Sequence, residues 1–276
     1  MERDELLELK GIIQDVGFRI KVVAYLRPFL SWLESHFQQR LKYGHLPPSP
    51  FAYNLSSVED SDLNFLRRLD RLGQVFGESN LMVRSYRSSE LTNGCVVRDF
   101  CALVGIKQNS TIHSYINEGF SINAVRLLYA LAKYGRNPML SRLWKANALI
   151  RRLKLLPGNK LRFHPSIISP IQGFLDHQRN QILQRYGVDL GVVPSSQSLF
   201  ADAISCEDDL FSYSVASLEW LEAQTKARPI QGQGEQAARQ VATAMDHLQR
   251  LVARNDWQQF LRERLGMTMR RLLRSR

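Results

Sequence analysis

The sequence predicts an all-α protein: a multi-helix domain containing a helix-turn-helix, followed by a C-terminal helical pair. Three observations carry that expectation. Apolar residues recur at helical spacing through most of the 276 residues. Runs of alternating β-branched residues are few. Strong stops separate the periodic stretches: Gly44, Pro157-Gly158-Asn159, Gly187 and the linker Lys226 to Gly234.

The elements follow in order. Leu6, Leu7, Leu9, Ile12, Ile13 and Val16 form a first amphipathic face, with Gly17 as an interruption. Helix is expected to continue from Phe18 to Leu26. Pro28 then permits a new first turn, and Phe29, Leu30, Leu33, Phe37 and Leu41 make the next face. The prolines of Pro47-Pro48-Ser49-Pro50 make 45–57 a rigid extended loop. Ser57 or Asp60 is the expected cap of a helix over 61–76. Residues 78–92 read as loop or a short strand pair around Leu81-Met82-Val83. Helices follow over 97–119 (two, broken at Gly105), 121–134, 138–155 and 171–186, with 161–170 irregular. Shorter helices are expected over 199–205 and 207–226, and a final pair over 235–254 and 256–274. The expected regions are 1–76, an N-terminal helical part; 77–187, the helix-turn-helix and basic part; 188–226, a helical connector; and 235–276, the C-terminal pair.

Charge points to a partner. The chain holds 37 Lys and Arg against 26 Asp and Glu, a formal net charge of +11. The imbalance is local. From Phe120 to Leu175 there is no acidic residue, while ten basic ones are present: Arg126, Lys133, Arg136, Arg142, Lys145, Arg151, Arg152, Lys154, Lys160 and Arg162. With Lys107, these are the candidate phosphate contacts, because releasing counterions from a polyanion drives binding. The bland alternative is a solvated basic face. A second cluster, Arg262, Arg264, Arg270, Arg271, Arg274 and Arg276, closes the chain.

The stretch 94–119 carries the motif. A helix-turn-helix needs a small residue where its helices cross, a turn residue tolerant of positive φ, and buried apolar positions one turn apart on the second helix. Cys101 or Ala102 supplies the first, Gly105 the second, and Ile112 with Ile116 the third; Ile106 is expected to bury just after the turn. Asn109 or Ser110 is a candidate cap. Gln108, Asn109, Thr111, His113, Ser114 and Asn117 then remain as candidate base readers. The stretch resembles the Cro and phage-repressor type of helix-turn-helix domain. The likeness lies in Gly105-Ile106-Lys107-Gln108, Ser110-Thr111-Ile112, Ile116, Glu118-Gly119, and the leucine–alanine stretch Leu127-Leu128-Tyr129-Ala130-Leu131-Ala132. It covers about residues 94–135 and departs from the family by one extra turn residue, Gln108 or Asn109. The resemblance implies that the start of the second helix reads bases, in a transcription regulator or a maintenance protein of a mobile element. The same spacing also suits a plain packing corner between helices.

Catalytic signatures are missing. No phosphate-binding loop of the Gly-x4-Gly-Lys-Ser/Thr type occurs. The histidines His36, His45, His113, His164, His177 and His247 are scattered, and His164 with His177 and Asp176 makes at most a poor metal set. Glu207-Asp208-Asp209 is explained as a helix start. Tyr186 and Tyr213 lack the basic company of a recombinase tyrosine. Cys95, Cys101 and Cys206 form no CxxC pair, so neither a disulfide framework nor a zinc site is expected. No apolar run reaches the ~20 residues that span a bilayer, and Met1-Glu2-Arg3-Asp4-Glu5 is no signal-peptide start. The sequence therefore leads to a non-enzymatic, cofactor-free, cytoplasmic, nucleoid-associated protein binding double-stranded DNA, with a possible homo-oligomer or protein partner. Two alternatives stay open: a helical nucleoprotein subunit gripping RNA or single strands by charge alone, and a protein–protein adaptor. Low aromatic content in the basic stretch (Tyr129, Tyr134, Trp144, Phe163) disfavours single-strand stacking.

Overall fold

The computed structural model describes all residues except Met1, Pro48, Asp60, 108–118, 137–142, 192–201, Ala227 and 275–276, with the backbone alone over 143–147 and 255–274. Helix predominates among the described residues, and among them there is a single two-stranded sheet. The protein is mostly helical. No described helix is long and apolar enough to cross a membrane. Contacts divide the chain into two compact units of interleaved segments: 1–33, 52–116 and 165–197 in the first, 34–51, 117–164 and 198–276 in the second.

The first unit begins with α1 (Arg3–Asp15), where the Glu2 N–H donates to the Glu5 carboxylate at 2.7 Å. Of its predicted apolar face only Leu6 is buried, against Val75 and Phe76. Leu7, Leu9, Ile12 and Val16 are exposed, as is Phe18. The chain then departs from expectation. Residues 22–26 form strand β1 (Val22–Leu26) rather than more helix, paired in parallel with β2 (Leu81–Ser85) in the register Val22↔Leu81 to Leu26↔Ser85. The Val-Val-Ala-Tyr-Leu run favours the pleated surface once a partner strand is present. The partner lies far along the chain, so local spacing did not reveal it. Helix α2 (Phe29–Lys42) follows. A 3-10 turn at Pro50–Ala52 and the short α3 (Leu55–Glu59) replace the extended loop. Asn54 captures Ser57 by accepting its N–H at 2.9 Å.

Helix α4 (Phe65–Phe76) starts four residues later than predicted. Its cap is Asn64, whose side-chain oxygen accepts from the Arg67 N–H at 3.1 Å; Ser57 lies instead within α3. Helix α5 (Val96–Leu103) comes next in the first unit, followed by α8 (Gln172–Tyr186), which matches the expected 171–186. Gln178 of α8 ties it to the start of α4, donating to the Leu63 carbonyl at 3.1 Å and accepting from the Leu66 N–H at 3.2 Å.

The second unit is built around α6 (Ile122–Tyr134), capped by Ser121. Ala124, Val125, Leu127, Leu128, Tyr129, Ala130 and Leu131 are all buried, so apolar contact surrounds this helix on most sides. It packs on α10 (Gly234–Arg274), which also receives α7 (Leu143–Leu153) and α9 (Val215–Thr225). The small side chains Ala237, Ala238 and Ala242 on α10 allow close approach. Phe37 from α2 stacks near Tyr129 at 5.8 Å and meets the Phe163 ring edge-on at 5.2 Å. The predicted C-terminal pair is a single 41-residue helix. Asn255, the one residue left between the two expected helices, is a weak helix former rather than a stop, and loses only a few tenths of a kcal/mol. The expected helix over 207–226 is a 3-10 turn at Asp208–Phe211 and then α9, capped by Ser214. Of 199–205, residues 199–201 lie outside the described set, and Ile204 forms a bridge to Phe163 instead of helix. Residues 137–142 at the start of the expected 138–155 helix also lie outside it.

What fixes α5 in the first unit is a buried carboxylate. Asp99 is the buried residue of that helix. Its side chain accepts from Arg84 on β2 at 2.9 and 3.3 Å, from the Tyr25 hydroxyl on β1 at 2.8 Å, and from the backbone N–H and hydroxyl of Thr92 at 3.2 and 3.1 Å. The Arg84 fork and the other donors outweigh burial and hold its pKa down to about 2. Asp99→Ala should therefore destabilise the first unit by about 2–3 kcal/mol in urea unfolding at neutral pH. The native pKa lies below the unfolded value of ~3.9, so this stabilisation is complete above about pH 4 and is lost as pH falls through about 2. Asp99→Asn should flatten that part of the acid-stability profile; an unchanged profile would mean that the carboxylate's charge contributes nothing there.

Candidate nucleic-acid interface

The first helix of the predicted motif is present, and its end is built as a turn. Gly105 has φ +72°. The Ile106 N–H reaches the Cys101 carbonyl at 2.8 Å and the Gly105 N–H reaches the Ala102 carbonyl at 3.3 Å. This pair of bonds is a Schellman ending, which needs a left-handed residue at the glycine position. The burial expectation is corrected. Ile106 is 57% exposed, and Val97, Phe100 and Val104 are exposed as well. Ala102 is exposed and Cys101 only half-buried, so neither makes a buried crossing contact among the described residues. The inward side of this helix is claimed by the charge of Asp99, not by an apolar stripe. Lys107 is exposed just past the turn. The candidate base readers Gln108, Asn109, Thr111, His113, Ser114 and Asn117 lie outside the described residues.

The basic candidates of the second unit differ in what holds them. Acid-free in sequence, the stretch 120–164 is not acid-free in space. Arg126 is half-buried, its Nε donates to the Asp209 carbonyl at 2.9 Å, and burial lowers its pKa. Lys133 donates to Glu207 at 2.6 Å, lies among the rings of Tyr129, Tyr134 and Phe211, and shares that carboxylate with the Tyr129 hydroxyl. Burial works against the Glu207 charge, but the Lys133 and Tyr129 donors prevail and lower its pKa. Arg162 pairs with Glu34 at 2.9 Å, and the same carboxylate accepts from the Phe163 N–H at 3.1 Å. Glu34 is buried deeply enough that its pKa rises in spite of both partners. The Arg136 side chain is exposed, while its backbone N–H donates to Asp246 at 2.8 Å.

Arg151, Arg152, Lys154 and Lys160 are exposed, the first two in the last turn of α7 and the others on either side of the turn at Pro157. That turn is anchored. Leu153, Leu156 and Leu161 are buried beneath it. The Ser121 hydroxyl donates to the Leu156 carbonyl at 2.9 Å, Asn123 to the Pro157 carbonyl at 2.9 Å, and the Ile122 N–H to the Asn159 carbonyl at 2.7 Å. Ser121 and Lys160 form an antiparallel bridge. The N-terminus of α6 thus holds the loop that carries Lys154 and Lys160, with Leu155 exposed beside them. Gly158, at φ +143°, leaves no room for a side chain, since a Cβ there would come within 2.8 Å of the Asn123 amide. Arg142 lies outside the described residues, and so do the side chains of Lys145 and of the C-terminal arginines.

Sequence reasoning missed the acids that reach this stretch, Glu34, Asp202, Glu207, Asp209 and Asp246, because each arrives from outside the stretch. Asp202 accepts from Asn159 at 3.3 Å. Among the described residues no three His, Cys, Asp or Glu side chains gather in a metal-binding group.

No family model matches the chain, and no solved structure matches it. The chain is similar to an uncharacterized protein of Archaeoglobus fulgidus, 31% identical over 86 residues. The shared stretch is 31% of this chain and 22% of that relative's length.

The two kinds of cation should respond differently to removal. Lys133→Ala should cost about 1 kcal/mol of stability, since it breaks a partly screened ion pair. Lys160→Ala should leave stability within ~0.5 kcal/mol. Thermal unfolding of both variants checks this, and the opposite pattern would exchange the roles of the two lysines.

Proposed function

We propose that this chain binds nucleic acid without catalysing a reaction, and that its preferred target is double-stranded DNA read in a sequence-specific manner. The observation that carries the reading is a basic cluster at an anchored turn: Arg151 and Arg152 in the last turn of α7, with Lys154 and Lys160 in the loop fixed to the capped end of α6, are all exposed. A rigid cationic loop grips phosphate with little ordering cost. The Schellman turn at Gly105 supports the reading of 94–119 as a helix-turn-helix, with Gln108, Asn109, Thr111, His113, Ser114 and Asn117 as base readers. On this reading the protein regulates transcription or maintains a mobile element, and acts in the cytoplasm on the nucleoid, alone or as an oligomer.

A second reading has a specific observation behind it. Helix α6, which follows the motif and shares in its repressor likeness, is buried as the central helix of the second unit. In that case 94–119 is a packing corner, and the basic loop grips RNA or single strands by charge alone.

Competition binding separates the two. Genomic duplex fragments, random duplex and single strands are titrated against the full chain at several salt concentrations. Base reading predicts a discrete duplex footprint, and Asn109→Ala or Asn117→Ala should then cost ~1–3 kcal/mol on the preferred site and almost nothing on random duplex. Replacing Arg151, Arg152 and Lys154 together by Ala should weaken all duplexes alike. It should also lower the log–log salt slope by roughly 0.9 for each phosphate that the three side chains neutralise. Equal losses on every duplex for the Asn variants select the charge-only reading. An unchanged salt slope in the triple variant removes the loop from either.

A further inference from the structure

The first unit holds a second basic feature, unrelated to the helix-turn-helix. A cleft of about 590 Å³ lies between the start of α1, α4 from Leu66 to Gln74 and the N-terminal half of α8. An adjoining hollow of about 340 Å³ shares Glu2, Asn64, Arg67 and Arg71 with it. The larger volume falls in the range of small-molecule sites. Arg67 and Arg71 stand at i and i+4 on α4, which puts both on one face. Arg3 adds a third guanidinium from α1, and Phe174 on α8 supplies an aromatic ring.

The two carboxylates in the wall do not cancel these cations equally. Asp70 is drawn to Arg185, which donates to it at 2.6 Å, and Arg185 is not in the cleft wall. Glu2 approaches Arg71 at 3.3 Å, but its side chain is 79% exposed. Such a pair is screened and weak, so a better anion displaces it at little cost. A phosphate is a better anion for this position, with more charge and with oxygens spaced for the guanidinium fork. Gln178 makes a firm floor: it is 1% exposed, and both its donor and its acceptor are committed to the backbone of α4 and the residue before its cap.

We propose that this cleft binds a nucleotide through its phosphate, with Arg67 and Arg71 holding the phosphate, Arg3 adding charge and Phe174 offering its ring to the base. The chemistry is a phosphomonoester carried next to a planar base. It is met either in a free mononucleotide or at the 5′-phosphorylated end of a strand. Base–aromatic stacking suits the Phe174 position because every base has a π face. The proposal does not rest on duplex reading, and different residues carry it.

Calorimetric titration of the full chain with adenosine monophosphate, adenosine, inorganic phosphate and a short 5′-phosphorylated oligonucleotide tests it. Saturable binding of the monophosphate is expected, with adenosine at least tenfold weaker. Arg67→Glu with Arg71→Glu should weaken the monophosphate more than tenfold. Phe174→Ala should weaken it several-fold while leaving inorganic phosphate unchanged. The milder pair Arg67→Lys with Arg71→Lys keeps the charge but loses the fork, and should also weaken binding; it decides the matter if the charge-reversed chain does not fold. Binding of the oligonucleotide alone, with the same dependence on the arginines, supports the site and makes a strand end its source. The proposal is overturned if neither nucleotide probe binds saturably, or if the folded arginine variants bind as tightly as wild type. A failure of duplex recognition at 108–118 leaves these outcomes untouched.

Discussion

A carboxylate buried at Asp99 must be given donors, and the arrangement of the first unit follows from where those donors come from. Arg84 and Tyr25 belong to the two strands, and Thr92 to the turn before α5. A single side chain thus links both strands and the helix that opens the predicted motif. The same requirement explains why Val97 and Phe100 of α5 face outward: the side that faces the sheet is occupied by a charge with its hydrogen bonds satisfied. Removing one donor would leave the others facing an under-satisfied ion, so the network stands or falls together.

The second unit answers a related problem in the opposite sense. Its local chain is rich in cations, and burying α6 would strand several of them. Acceptors from elsewhere meet the ones nearest the core, the Glu207 carboxylate for Lys133 and the Asp209 backbone carbonyl for Arg126. The ones farther out, around Pro157, are exposed. A cation beside an apolar core needs a partner, while one on a surface loop is stabilised by hydration and stays within reach of a polyanion.

The helices of this protein were legible where their signals are local. The periodicity of α6 and α8, and the stop at Gly187, lie within a few residues of one another, and the structure places these elements within a residue of expectation. The stop at Gly105 was legible for the same reason. Strand β1 was not, because Val22 to Leu26 becomes a strand only through pairing with Leu81 to Ser85. Nor was the unity of α10, where Asn255 resembled a break without being one. In the candidate interface, sequence identified the cations but not their acids. Lys133 and Lys160 look alike in a linear reading, and only the return of Glu207 distinguishes them. The cleft beside Arg67 and Arg71 had no linear signature at all, since its walls come from three separate helices.

The eight residues of α5 amount to little more than two turns. A helix of that length scarcely persists in water, because its nucleation cost is not recovered. Its hydrogen bonds therefore depend on the sheet it is tied to, and they open when the sheet opens rather than by fraying one at a time. In native-state hydrogen exchange, the amides near the end of α5 would share one opening free energy with those of β1 and β2, a single cooperative block reaching from Val22 to the turn at Gly105.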